Sequence, residues 1–150
     1  MRAFLALGSN LGDRRAYLSD AIASLPDVVA ISSVYETDPV GGPHQQGSYL
    51  NMVVELDTSL SPRDLLRLCH RLEAAAYRVR EERWGPRTLD VDIIWIDGVE
   101  LNEPELTIPH PRWKDRRFVL VPMREIAPDL VDDHDIDRAE GRVWVVEGLT

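Results

Sequence analysis

The stretch RWGPRTLDVDIIWIDG, from Arg83 to Gly98, decides the reading of the chain. Leu89 to Ile96 has the β-branched and apolar residues of a buried strand, and Asp97-Gly98 is a turn that ends it. Two aspartates, Asp90 and Asp92, stand at the mouth of that strand. Side chains alternate along a strand, so both carboxylates face the same way, with Cα atoms about 6.6 Å apart. Ile94 and Ile96 continue that face and must be buried, which puts the pair where a dry surface meets an opening. Ionised carboxylates this close repel each other, so something positive must share the site. Arginine is one candidate. A hard cation bound through oxygen, such as Mg2+ with its waters and substrate phosphates, is the other.

The residues leading into the strand favour a phosphate ligand. Gly85-Pro86 stiffens the approach, Arg87 offers a forked donor to phosphate oxygens, and Trp84 offers a flat apolar face. Carboxylates beside an arginine cluster are what phosphoryl transfer needs, because that chemistry is mostly positioning and charge neutralisation. The charge distribution agrees. The chain has a net charge of −9, which counts against general affinity for nucleic acid or an anionic membrane. Yet Arg78, Arg80, Arg83 and Arg87 fall together, as do Arg112, Lys114, Arg116 and Arg117. A basic focus inside an acidic protein suits a compact anion such as a polyphosphate.

At 150 residues the chain is expected to be a single domain spanning 1–150. No apolar run approaches the ~18 residues of a membrane span, and MRAFLALGSN is too short to act as a signal segment. The lone Cys69 allows no internal disulfide, and a cytoplasmic protein is the expectation. The spacing predicts a strand over Arg2 to Leu7, a helix from about Asp13 to Leu25, and strands over Val28 to Glu36 and Tyr49 to Leu56. A second helix starts at Ser61-Pro62-Arg63-Asp64 and buries Leu65, Leu68, Cys69, Leu72 and Ala76. After the Leu89 to Ile96 strand, a return through Val99 to Leu101 would make a hairpin, and Phe118 to Ile126 forms a further helix. Val143 to Val146 is read as a short added strand. The order β-α-β-β-α-β is ferredoxin-like: an α+β sandwich with an antiparallel sheet and helices on one face, plus the hairpin and a C-terminal extension.

Other residues suit a ligand site. His110 is held between Pro109 and Pro111, where it can donate to a phosphate oxygen. Tyr49 and Asn51 share a strand face; Asn suits the edge of a planar heterocycle and Tyr supplies stacking area. Gly8-Ser9-Asn10 before a helix can cradle an anion, although the P-loop Lys-Ser/Thr is absent.

Together, Leu7 to Gly12, Tyr49 to Asn51, Arg83 to Asp92 and Ile108 to Pro111 resemble the signature segments of the 6-hydroxymethyl-7,8-dihydropterin pyrophosphokinases. The resemblance runs collinearly from about Phe4 to Leu130 and is most specific in Arg83 to Asp92. It implies Mg-dependent transfer of the β,γ-diphosphate of ATP to the pterin's hydroxymethyl group in folate biosynthesis. By the same resemblance, Asp90 and Asp92 would hold two Mg2+. Tyr49 and Phe118 would sandwich the pterin, with Asn51 on its polar edge and Thr37, Pro39, Val40 and Gly41 supplying loop contacts. Arg78, Arg87, His110 and Arg116 would bind phosphates, with Arg78 and Arg87 counted beside the aspartates as catalytic. Glu73, Arg80, Arg83, Ile93 and Thr107 would surround the nucleotide, and Trp84 would close over the filled site. The partners implied are ATP and the pterin alone, with no nucleic acid or membrane, acting on a monomer. Tyr77, His70 and Pro111 depart from the family pattern. A metal-dependent nucleotidyltransferase and a non-catalytic RNA-binding module of the same fold are the competing readings.

Overall fold

The computed structural model describes residues 1–10, 12–37, 48–80 and 89–146, with the backbone alone for 78–80. Its centre is an antiparallel sheet. Strand β1 (Arg2–Ser9) lies between β4 (Tyr49–Asp57) and β5 (Asp90–Ile96), and the order runs β5-β1-β4-β3-β8, with β3 at Tyr35–Thr37 and β8 at Val143–Val145. Strand β2 (Val28–Ile31) also pairs with β4. Helices α1 (Arg14–Ser24) and α2 (Pro62–Arg80) cross between strands as the sequence pattern requires. The arrangement is the ferredoxin-like sandwich.

Alternation along the strands builds two cores, one on each face. Leu5, Leu7, Met52, Val54, Val91 and Ile93 face α1 and α2, whose Leu18, Leu65, Cys69 and Leu72 are buried against them. Phe4, Val53 and Ile94 face the other way, onto Val119, Leu120 and Met123 of α3 (Arg117–Ile126). Each such fully buried apolar side chain contributes roughly 1.5–3 kcal/mol. The expectation of helices on one face is therefore corrected: α3 is strongly amphipathic and covers the second face, with α4 (Asp133–Arg138) against it.

Three further differences have local causes. The expected strand Val28 to Glu36 is broken into β2 and β3 by a serine pair. Ser32 Oγ accepts from the Val53 N–H at 2.9 Å and donates to the Ser33 carbonyl, replacing a backbone ladder partner. Glu125 of α3 captures the Ser33 N–H and the Tyr35 hydroxyl; burial, and then that carboxylate, push Tyr35 up to about 12. The return after Gly98 does not pair with β5. Leu101–Glu103 (β6) pairs with Leu106–Ile108 (β7) in a separate hairpin, and β5 uses its free edge to accept the His110 N–H at the Ile94 carbonyl, 2.8 Å away. Finally, Ile96 does not share the face of Asp92. Phe4 pairs with Trp95 while Leu5 pairs with Ile93, so Ile94 is an extra, bulged residue and Ile96 turns to the α1–α2 core.

Replacing Ser32, which is 5% exposed, with Ala leaves the Val53 N–H buried without its partner. Urea denaturation is expected to show a loss of about 1–3 kcal/mol with an unchanged slope.

Candidate active site

Register places the site before any side chain is considered. Gly8 pairs with Asp90 on one side and with Asn51 on the other, and one pleat further Ala6 pairs with Asp92 and Val53. Glycine and alanine in the middle strand leave a floor with almost no side chain between the carboxylates and Asn51. A Cβ built on Gly8 would stand 2.9 Å from Asn51 Oδ1 and 3.5 Å from the Tyr49 ring. Over this floor lies a cavity of about 370 Å³, lined among others by Gly8, Thr37, Tyr49, Asn51, Asp90, Asp92, His110, Arg116 and Phe118. Asn51 is buried, and its Nδ2 donates to Thr37 Oγ1 at 2.9 Å. That bond fixes the amide and leaves Oδ1 beside Gly8 as an acceptor. Burial, and then the Asp90 charge, raise the pKa of Tyr49, so its phenol stays neutral.

A second cavity of about 300 Å³ adjoins the first and shares Asp92 and His110 with it. Leu66, His70 and Glu73 of α2 form one wall; Pro104, Leu106 and Thr107 of the hairpin form the other, with Ile93 between. Glu73 also ties α2 to β5, accepting from the Val91 N–H at 2.9 Å. The two cavities make one groove whose lobes meet at Asp92 and His110.

His110 is half-buried, and burial is the main reason its pKa is lowered; Arg116 and Arg112 act in the same sense while Asp92 opposes them. The Arg112 N–H donates to His110 Nδ1 at 3.2 Å. A neutral imidazole whose Nδ1 accepts carries its proton on Nε2, a donor suited to a phosphate oxygen. The Arg116 guanidinium lies 5.5 Å over the Phe118 ring, so one cation and one aromatic face share the first lobe.

Of the residues expected from sequence, Thr37, Tyr49, Asn51, Asp90, Asp92, His110, Arg116 and Phe118 line the first lobe. Glu73, Asp92, Ile93, Thr107 and His110 line the second. Arg78 and Arg80 fall in the last turn of α2, placed by backbone alone. Pro39, Val40, Gly41, Arg83, Trp84 and Arg87 lie outside the described residues. The reading of Gly8-Ser9-Asn10 as an anion cradle is corrected. Gly8 and Ser9 belong to β1, and the start of α1 is already capped by the Asp13 carboxylate, which accepts from the Ala16 N–H at 3.2 Å. Cys69 is buried in the core, and burial pushes its thiol up to about 12.

Sequence reasoning missed the Gly8 and Ala6 floor, although their register against the aspartates would have shown it. It also missed Asp115 and Glu140 at the rim of the first lobe. No local pattern marks those.

The family model of 7,8-dihydro-6-hydroxymethylpterin-pyrophosphokinase matches residues 4–128. The chain belongs to that family. It is 44% identical over 150 residues to the 2-amino-4-hydroxy-6-hydroxymethyldihydropteridine pyrophosphokinase of Bacillus subtilis, covering 95% of this chain and 89% of the relative. To the enzyme of the same name from Methylorubrum extorquens it is 47% identical, covering 87% of this chain and 85% of the relative. Among solved structures, Plasmodium falciparum HPPK-DHPS superposes with a TM-score of 0.63 at 14% identity, over 85% of this chain and 38% of that one. That likeness speaks to the fold, and the chain spans well under half of the parasite protein.

Gly8→Ala is expected to push Asn51 aside and raise the KM for the pterin roughly tenfold while the KM for ATP changes little, measured by steady-state kinetics with each substrate varied. Equal changes in both constants would show that the floor of the first lobe does not read the pterin.

Proposed function

We propose that the two-lobed groove is where this chain carries out its family's reaction, ATP-dependent transfer of diphosphate to 6-hydroxymethyl-7,8-dihydropterin, with AMP as the other product. The observation that carries this assignment is the sharing of Asp92 and His110 by two adjoining cavities. The pterin occupies the first lobe, with its ring between Tyr49 and Phe118 and its polar edge on Asn51. The nucleotide enters the second, between α2 and the β6–β7 hairpin. The triphosphate then runs through the junction.

Asp90 and Asp92 fit magnesium. They offer oxygen donors only, and they open onto the same cavity. Among the described residues no third carboxylate, His or Cys joins them to close a protein cage. Such a pair leaves coordination positions for water and phosphate oxygens, and we take two ions to be held there. When bound, the metal supplies charge neutralisation on the phosphates and lowers the pKa of the hydroxyl.

The protein's own groups do the rest. Asn51 and the aromatic faces hold the pterin so that its hydroxymethyl oxygen points along the groove toward the β-phosphorus. The bond from that oxygen to the β-phosphorus forms as the bond from the β-phosphorus to the α,β-bridging oxygen breaks, and AMP departs with the bridging oxygen. The hydroxyl proton passes to solvent or phosphate. His110 Nε2 and Arg116 donate to phosphate oxygens, stabilising charge where it builds up. Arg78 and Arg87 are taken to do the same, and Glu73, Arg80, Arg83, Ile93 and Thr107 to flank the nucleotide. The loop residues Thr37, Pro39, Val40 and Gly41 complete the pterin lobe, and Trp84 excludes water, which would otherwise compete as the nucleophile. No helix among the described residues is long and apolar enough to cross a membrane. We place the protein in the cytoplasm as a monomer acting on small molecules.

Mixing protein, Mg2+, ATP and the pterin should release AMP. ADP in its place, or free pyrophosphate as a nucleotidyltransferase would give, overturns the assignment. Asp92→Ala should abolish turnover with the circular dichroism spectrum and melting temperature preserved; retained activity removes the metal role. His110→Ala should lower kcat/KM for ATP by roughly 10²-fold, with His110→Gln retaining part of it through a remaining donor.

A further inference from the structure

The chain beyond Pro128 lies outside the matched family residues, yet it is fastened to one wall of the first lobe. Arg116 and Phe118 line that lobe, and Arg117, the first residue of α3, stands between them. Arg117 turns the other way. Its Nε donates to the Ile136 carbonyl at 3.0 Å, Nη1 to the Gly141 carbonyl at 3.3 Å and Nη2 to the Asp137 carbonyl at 3.4 Å. The backbone adds a second tie. The Arg117 N–H donates to the Glu140 carbonyl at 3.0 Å and the Glu140 N–H to the Asp115 carbonyl at 2.8 Å, closing a bridge between Arg116 and Glu140.

The chemistry of this grip is specific. Ile136 and Asp137 lie in the last turn of α4; the Ile136 carbonyl also accepts from the Ala139 N–H at 3.2 Å, and a cation at the carbonyl end of a helix is favoured. A helix of six residues does not hold itself together in water. Its start is closed by a capping box in which Asp132 and Asp135 satisfy each other's backbone N–H, and its end is closed by Arg117. The planar guanidinium spans three separate carbonyls, which a lysine ammonium at the end of its stem cannot. Glu140, delivered by this segment, itself lines the pocket.

We propose that Arg117 is a positioning residue for the substrate pocket: its grip on the 132–141 segment holds Arg116 and Phe118 against bound substrates and sets Glu140 at the rim. Side chains alternate in role over three consecutive residues. The outer two touch the ligands, and the middle one anchors the backbone that carries them. The inference rests on Phe118 and Arg116 being substrate contacts.

Arg117→Gln tests it by steady-state kinetics with both substrates varied and a thermal melt on the same preparation. The expected result is a roughly tenfold rise in KM for both pterin and ATP with a smaller change in kcat, and partial recovery in Arg117→Lys. Asp132→Ala, which unseats the start of α4 and touches nothing in the pocket, should raise the same two constants. A lowered melting temperature with both KM values at wild type would make Arg117 a structural staple and overturn the proposal. Should Arg117→Gln fail to fold, Asp132→Ala decides alone, with unchanged KM values counting against the proposal. Phe118→Ala separates the premises: if it leaves the pterin KM unchanged, the assignment of the pocket is wrong, whereas a raised value beside normal Arg117→Gln kinetics leaves the pocket standing and removes only the grip.

Discussion

Asp90, Gly8 and Asn51 sit side by side across three antiparallel strands, and the pocket exists because the middle position has no side chain. A register slip of one residue in β5 would turn the carboxylates into the α1–α2 core and aim Val91 at the cavity. What prevents it is the pairing of β5 with β1 from Ala3–Ile96 to Gly8–Asp90, on a β1 that itself pairs with β4 from Arg2–Asp57 to Ser9–Leu50, which buries one set of side chains on each face. The packing of both cores thus determines where the chemistry lies. With Ala6 in the next row, opposite Asp92, the floor stays low along the length of the aspartate pair.

The charges above that floor make opposite demands. Asp90 and Asp92 call for a cation, while Arg112 and Arg116, at the lip of the same cavity, call for an anion. In the proposed reading, a metal bound to polyphosphate would answer both. Half-buried between the two sets, His110 is biased toward its neutral form and adds a donor without adding net charge.

The aspartate pair, the second helix with its buried stripe and the ferredoxin-like order were legible because each rests on a local period or spacing. The paired faces of the sheet were not, since α3 reads simply as an amphipathic helix whose partner lies far away in sequence. The split at Ser32 was hidden for a similar reason: a β-branched run interrupted by two serines looks continuous until Glu125, 92 residues from Ser33, takes the backbone donor. Gly8 was noticed for the wrong property. It was read with Ser9 and Asn10 as an anion cradle before a helix, whereas the site uses its missing Cβ within a strand. Arg117 looked like one more cation in a basic run, and only the fold shows that its neighbours line the cavity while it grips the 136–141 carbonyls.

The bulge at Ile94 accounts for the meeting of the two lobes. An unbulged β5 would keep its alternation, and Trp95 would point into the α1–α2 core. With one residue inserted, Ile94 and Trp95 both face α3, and Trp95 packs against Phe4 at a ring separation of 5.8 Å. A bulge bends and twists the strand that carries it. At the inserted residue the free-edge carbonyl of β5 receives the His110 N–H, docking the Pro109-His110-Pro111 segment two residues from Asp92. One irregularity in one strand thus closes the second core and brings the imidazole level with the carboxylate. A regular strand would have left His110 without that carbonyl and the second cavity without its connection to the first.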